Sequence, residues 1–160
     1  MSVFSSAFST PDLTIIRAGL TEKLALLAEH WVKFSEAELS QRPAPGRWSR
    51  KEILGHLIDS AFNNYRRFVL AQVATPPLRL EPYDQDLWVR IGGYQHQPAA
   101  ELLALWTSLN RQVLHLLAAL PEAVLSYECH SLNGNPVTLH WLIGDYVLHL
   151  EHHVRQIIHE

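Results

Sequence analysis

The chain has 160 residues, 48% of them apolar, which suits a single domain over 1–160 with a sizeable core and is too short for two. Thirteen lysines and arginines against sixteen aspartates and glutamates leave a net charge of −3 without a clustered basic face, so a nucleic-acid partner is not expected. The single cysteine, Cys129, excludes an intrachain disulfide, lacks the repeated spacing of a thiolate zinc site, and reads as core filler.

The first residues, MSVFSSAFSTPDL, carry no basic segment and no apolar run of signal length, so a cytoplasmic location is expected. LALLA and LHLLAAL fall far short of the roughly 20 apolar residues of a membrane span, so no membrane partner is expected either. From Pro11 to about Leu39, apolar residues recur at Leu13, Ile16, Leu20, Leu24, Leu27, Trp31 and Phe34. These steps of three and four predict a first helix, entered at Thr10-Pro11. RPAPGRW interrupts the pattern. Ser49, with Glu52 three residues on, is a capping-box signature for a second helix to about Val73, and Pro76 and Pro77 close it.

TPPLRLEPYDQDLWVRIGGYQHQ then shows no regular period and reads as a long loop carrying Tyr83, Trp88 and Tyr94. A loop of that length in a small domain is either functional or packed across a bundle end. The third helix runs from about Pro98 to Leu120, with Leu102, Trp106, Leu109, Val113 and Leu116 along one side. SYECHSLNGNPVT has Asn-Gly turn chemistry suited to a short hairpin, to which any strand is expected to be confined. The fourth helix begins near Thr138 and reaches the C-terminus. Four such amphipathic segments predict an all-α four-helix bundle, whose inner faces can gather ligands from different helices.

The last helix contains HLEHHVRQIIHE. At about 100° per residue, His153 lies about 40° from His149, towards the apolar sector of Tyr146, Ile143, Leu150 and Ile157, whereas His152 points about 60° the other way. His149 and His153 therefore share a bundle-facing edge and could reach one ion, although a buried histidine bonded to a neighbour is the other reading of such a pair. On the second helix His56 holds the same kind of edge position, and Ser60, Asn63 and Arg67 continue its line within about 40° of it. That line could equally be a solvated face. Three imidazoles from two helices meet the usual minimum for a catalytic metal and leave a coordination position open.

GRWSRKEILGHLIDS, YDQDLW and HLEHHVRQI together resemble the DinB/YfiT-like superfamily of metalloenzymes, four-helix bundles that include bacillithiol S-transferases and mycothiol-dependent maleylpyruvate isomerases. The resemblance spans nearly the whole chain. It implies a divalent metal, zinc or nickel, on His56, His149 and His153, the trio selected by the helical wheel. It also implies a homodimer, a small-molecule substrate and a low-molecular-weight thiol such as bacillithiol as cofactor. The function expected is transfer of that thiol to a small electrophile or hydrolysis of a small molecule. A metal- or small-molecule-binding module without turnover is the alternative. Asn63, Arg67 and Gln156 share the histidine-bearing faces and are the candidate pocket residues; Asp59 and Glu52 are candidate acceptors for an imidazole N–H, and Tyr83 to Tyr94 a candidate wall or lid.

Overall fold

The computed structural model describes residues 12–159. The export reading and the Thr10-Pro11 entry fall largely outside them. Helix α1 spans Leu13–Trp31 and is capped by Asp12, whose carboxylate accepts from the Thr14 N–H at 2.7 Å. Its buried residues Ile16, Leu20, Leu24, Leu27 and Trp31 are those of the predicted stripe. The helix does not continue to Leu39. Ser35 opens a separate short helix, α2 (Glu36–Ser40), through a capping box with Glu38, and Leu39 is buried from that second segment. The stripe crosses the break because both helices present apolar residues to one core.

Helix α3 (Arg50–Leu70) begins with the predicted capping box: Ser49 Oγ accepts from the Glu52 N–H at 3.2 Å, and the Glu52 carboxylate accepts from the Ser49 N–H at 2.8 Å. It stops short of Val73. The long loop expected next is largely ordered, with a two-residue strand β1 (Leu78–Arg79), helix α4 (Gln85–Gly92) and one 3-10 turn at Tyr94–His96. Asp84 caps α4 through the Leu87 N–H at 2.9 Å, and Gly93 ends it at φ 64, a conformation that favours glycine.

Helix α5 (Ala99–Ala119) follows Pro98 as expected, and α6 (Leu139–His159) starts at Thr138, whose Oγ1 accepts from the Trp141 N–H at 3.1 Å. Between them β2 (Glu128–His130) and β3 (Pro136–Thr138) form the predicted hairpin, with Gly134 at φ 77 in its turn. Strand is not confined to that hairpin: β1 pairs parallel with β2, Leu78 opposite Cys129. Cys129 is fully buried there.

The four long helices make the bundle. Both α1 and α3 pack chiefly against α5 and α6, so these two chain-consecutive long helices occupy opposite corners. The chain must therefore cross one bundle end between them, and α2 lies on that crossing. It is tied to α3 by Lys51 Nζ donating to Glu36 at 2.6 Å, and Arg42, further along, by its ion pair with Glu52.

One close approach joins α4 and the 3-10 turn to α3. The Tyr94 ring fills the space that side chains would take at Gly55 and Gly92; a Cβ at Gly55 would lie 2.0 Å from Tyr94 Cδ2. A glycine inside a helix costs about 0.5–1 kcal/mol relative to alanine, and here it admits a buried aromatic ring. Gly55→Ala is accordingly expected to destabilise despite the better helix propensity, by about 1–3 kcal/mol as for other overpacked sites. Thermal unfolding checks this, and an unchanged or raised Tm would show that the ring is not held in that notch.

Candidate metal centre

His56 is on α3, one turn beyond Glu52 and wholly buried; His149 and His153 are on α6, one turn apart and half-buried. Where α3 packs on α6 the three rings converge. His56 Nε2 faces His149 Nε2 at 3.1 Å, and one ligand atom from each of the three imidazoles lies within 4.8 Å of the others. Ring centroids are 4.7 to 5.0 Å apart, in edge-on arrangements near 75°. His152 is exposed and stands outside the trio, its ring edge-on to His153 at 4.9 Å.

Two features orient the donor atoms. His153 Nδ1 lies 2.9 Å from Gln156 Oε1, one turn along α6. An amide oxygen only accepts, so Nδ1 carries the proton and Nε2 keeps its lone pair for an ion. At His56, Nδ1 is buried without a hydrogen-bond partner. The indole of Trp48 lies over this ring at 5.2 Å.

Electrostatics favour neutral rings. Burial, then His149 and His153, pushes His56 down to about 3; burial, then His153 and His152, pushes His149 down to about 4. Both imidazoles are therefore deprotonated at neutral pH, the form that coordinates metals. The donor set fits a borderline divalent cation, with only three protein ligands converging among the described residues.

The other candidate residues fall differently. Glu52 meets no imidazole; its carboxylate is held by Arg42 and the Ser49 N–H. Asp59 is also turned away, with Oδ1 accepting from Tyr94 O–H at 2.5 Å and Oδ2 buried without a partner. Burial raises the Asp59 carboxyl while the Tyr94 bond lowers it, the net direction being up. Asn63 donates to the Asp59 carbonyl at 2.9 Å, and half-buried Arg67 donates to the Glu81 carbonyl at 3.0 Å. Of the candidate pocket residues Asn63, Arg67 and Gln156, Gln156 is hydrogen-bonded to one of the three clustered histidines, His153. In the aromatic stretch, Tyr94 is an anchor in the interior, whereas Tyr83 and Trp88 stack at 4.7 Å nearer the surface.

Among the polar contacts that no local sequence pattern announces are two made by buried tyrosines. Tyr94 reaches Asp59 from outside α3, and Tyr146 O–H donates to Asn110 Oδ1 at 2.5 Å between α6 and α5. Gly55, inside an otherwise regular helix, was the available signal for the first. Nothing in the local pattern signals the second.

A sequence model described as the DinB superfamily matches residues 20–157. A protein of Bacillus mycoides, provisionally named a metal-dependent hydrolase, is 29% identical over 112 residues, 70% of this chain and 64% of its own length, so this chain spans less than two thirds of that relative. YfiT of Bacillus subtilis, under the same provisional name, is 27% identical over 139 residues, 86% of this chain and 78% of its own. The solved structure of YfiT, described as an unusual four-helix bundle topology, matches at a TM-score of 0.82 and 24% identity, covering 98% of this chain and 89% of that one. A mycothiol-dependent maleylpyruvate isomerase matches at 0.70 and 14%, covering 92% and 62%. At these identities the solved structures speak for the fold.

About one divalent ion per chain is expected by elemental analysis, lost in His56→Ala, His149→Ala and His153→Ala and kept in His152→Ala. An empty His152→Ala together with a loaded His149→Ala would overturn the geometric assignment. A second expectation follows from the depressed pKa values. Unfolded histidines, near 6.5, take up protons that the folded rings refuse, so the metal-free protein loses stability as pH falls below about 6.5, and goes on losing it to about 4 for His149 and about 3 for His56. Melting curves of metal-free protein between pH 7 and about 4 read this directly; a Tm that is flat across that range would contradict it.

Proposed function

The chain belongs to the DinB superfamily, and on that footing we propose that it is an enzyme in which His56, His149 and His153 hold a divalent ion, zinc or nickel, for transfer of a low-molecular-weight thiol to a small electrophile. Hydrolysis of a small molecule at the same centre is the second chemistry such a site supports, and it is the one in the provisional names of the relatives. The convergence of three imidazoles, with no fourth protein ligand among the described residues, carries the reading, because structural zinc sites are usually closed by four. When bound, an ion with three neutral ligands keeps its charge and lowers the pKa of a water or thiol by several units.

The chain's own residues supply the rest. Burial of His56 excludes water from one side of the centre, and Trp48 covers that ring. Gln156 fixes His153 in the Nδ1–H form. Asn63 and Arg67 stand about 10 and 16 Å along α3 from His56, at 1.5 Å per residue. Arg67 uses a backbone carbonyl and the Asn64 side chain for part of its fork, which leaves further N–H groups for an anionic end of the thiol or substrate. A homodimer and a cytoplasmic location, where thiols stay reduced, belong to the same reading, the dimer on the strength of the family resemblance. Sedimentation that shows only monomer at micromolar concentration would remove the dimer.

Metal-loaded protein is expected to accelerate addition of a biological thiol, bacillithiol first, to an electrophile, with the rate lost on chelation and in His56→Ala. Arg67→Ala is expected to raise KM for an anionic thiol more than it lowers kcat, because a cation remote from the reacting atoms binds ground and transition states alike. Absence of any metal-dependent rate over panels of thiols, esters and amides would favour the non-catalytic module. A rate indifferent to chelation would sink the mechanism.

A further inference from the structure

A cavity of about 130 Å³ lies between the first turn of α3 and the last turn of α6. Buried Ile53 and half-buried Trp48 give it apolar walls, exposed Gln41 and Pro43 stand at its rim, and Arg50 and Gln156 complete the lining. No histidine lines it. Two of its lining residues nevertheless touch the histidine cluster from outside: Trp48 lies 5.2 Å from the His56 ring, and Gln156 Oε1 lies 2.9 Å from His153 Nδ1. The cavity is therefore a neighbour of the cluster and not a part of it.

Arg50 is the one lining residue with a formal charge. Its guanidinium is fixed by groups that leave that charge uncompensated: Nε donates to the Ile157 carbonyl at 2.9 Å, a terminal nitrogen reaches the Glu38 carbonyl at 3.5 Å, and the group lies 4.5 Å over the Phe34 ring. Arg50 forms no ion pair among the described residues. The Glu38 carboxylate, which feels this charge, accepts from the Ser35 N–H and O–H at 2.7 Å each and does not line the cavity. The start of α3 offers the positive end of one helix and the end of α6 the negative end of another, so the helix dipoles roughly offset. Arg50 sets the sign.

Size narrows the occupant. A water molecule takes about 30 Å³ of liquid, so the space holds about four waters or a group of about five non-hydrogen atoms. A guanidinium presents a planar fork of donors matched to a carboxylate, and the remaining N–H groups of Arg50 are available to one. The walls of Trp48 and Ile53 suit a short apolar tail behind it.

We propose that this cavity binds a small carboxylate, its oxygens on Arg50 and its alkyl part against Trp48 and Ile53, as a site distinct from the histidine centre. The binding does not rest on the proposed function.

The test follows the Trp48 indole N–H in ¹H–¹⁵N spectra, recognised by its loss in Trp48→Phe, during titration with propionate and propionamide at fixed ionic strength. Propionate is expected to give a saturable shift, and propionamide, of the same shape without charge, to bind at least fivefold more weakly. Arg50→Gln is expected to weaken propionate at least fivefold, while Arg79→Ala, outside the cavity, leaves it unchanged. If Arg50→Gln fails to fold, the comparison of the two ligands in the wild type still decides. Equal binding of propionate and propionamide, unchanged affinity in a folded Arg50→Gln, or no saturable shift overturns the proposal. His149→Ala is expected to bind propionate with wild-type affinity; loss of binding there would place the anion on the histidines and overturn the separate site. Metal-dependent turnover in a protein that does not bind propionate removes the cavity and leaves the proposed function standing, whereas propionate binding without such turnover does the reverse.

Discussion

Every residue of α3 from Lys51 to Ala61 is buried, on all sides of the helix, and that run includes a lysine, a glutamate, a histidine, an aspartate and a serine. A polar or charged group in the interior costs several kcal/mol unless it finds a partner, so this one stretch dictates what must surround it. Glu36 meets Lys51, Arg42 meets Glu52, Tyr94 meets Asp59, and His149 with His153 meets His56. Three segments far apart in the chain, residues 36–42, the turn at Tyr94 and α6, are held where they are by a single helix. The crossing of the bundle end and the packing of the 3-10 turn are consequences of that demand, as is the approach of α6 on its histidine side.

The answer to the demand is incomplete at two atoms. His56 Nδ1 and Asp59 Oδ2 are buried without hydrogen-bond partners, on residues three apart on α3, where helical spacing makes neighbours. Elsewhere in α3's buried run the polar side chains are satisfied, so the deficit is confined to one turn of α3, with His56 in the histidine cluster and Asp59 turned towards Tyr94. Folded proteins keep few such atoms, and those they keep concentrate where a ligand or an ion is to be engaged. The same burial that leaves them unpaired also keeps the imidazoles neutral. Desolvation of His56 and His149 favours the neutral imidazole, the form that keeps a lone pair for a cation.

Much of the helix pattern could be read along the chain. The capping box at Ser49 and Glu52, the Pro98 entry to α5 and the start of α6 after Thr138 are local signals, and each element begins where its signal lies. Two boundaries were missed although their signals were present. Ser35 with Glu38 is a second capping box, hidden inside an apolar stripe that two helices share, and Asp84 with Gly93 brackets α4 in a stretch without an obvious period. Short helices bury one or two residues, so periodicity has little to count. The histidines were legible for a related reason. A helical wheel puts His56, His149 and His153 on the inward edges of two long stripes and His152 outside, and long stripes define direction well.

The sequence by itself determined which residues form the long helices, where most of them are capped, and which imidazoles face inward, because all three depend on neighbours within about four residues. Only the tertiary structure decided that α1 and α3 sit at opposite corners, that Tyr94 and not a histidine occupies Asp59, and that Gln156 rather than Asp59 or Glu52 contacts one of the three clustered imidazoles. It alone brings Arg50 and Gln156 round one cavity beside Trp48. Those pairings join segments tens of residues apart, and a charged or hydrogen-bonding side chain carries no mark of its partner until packing has brought the two together.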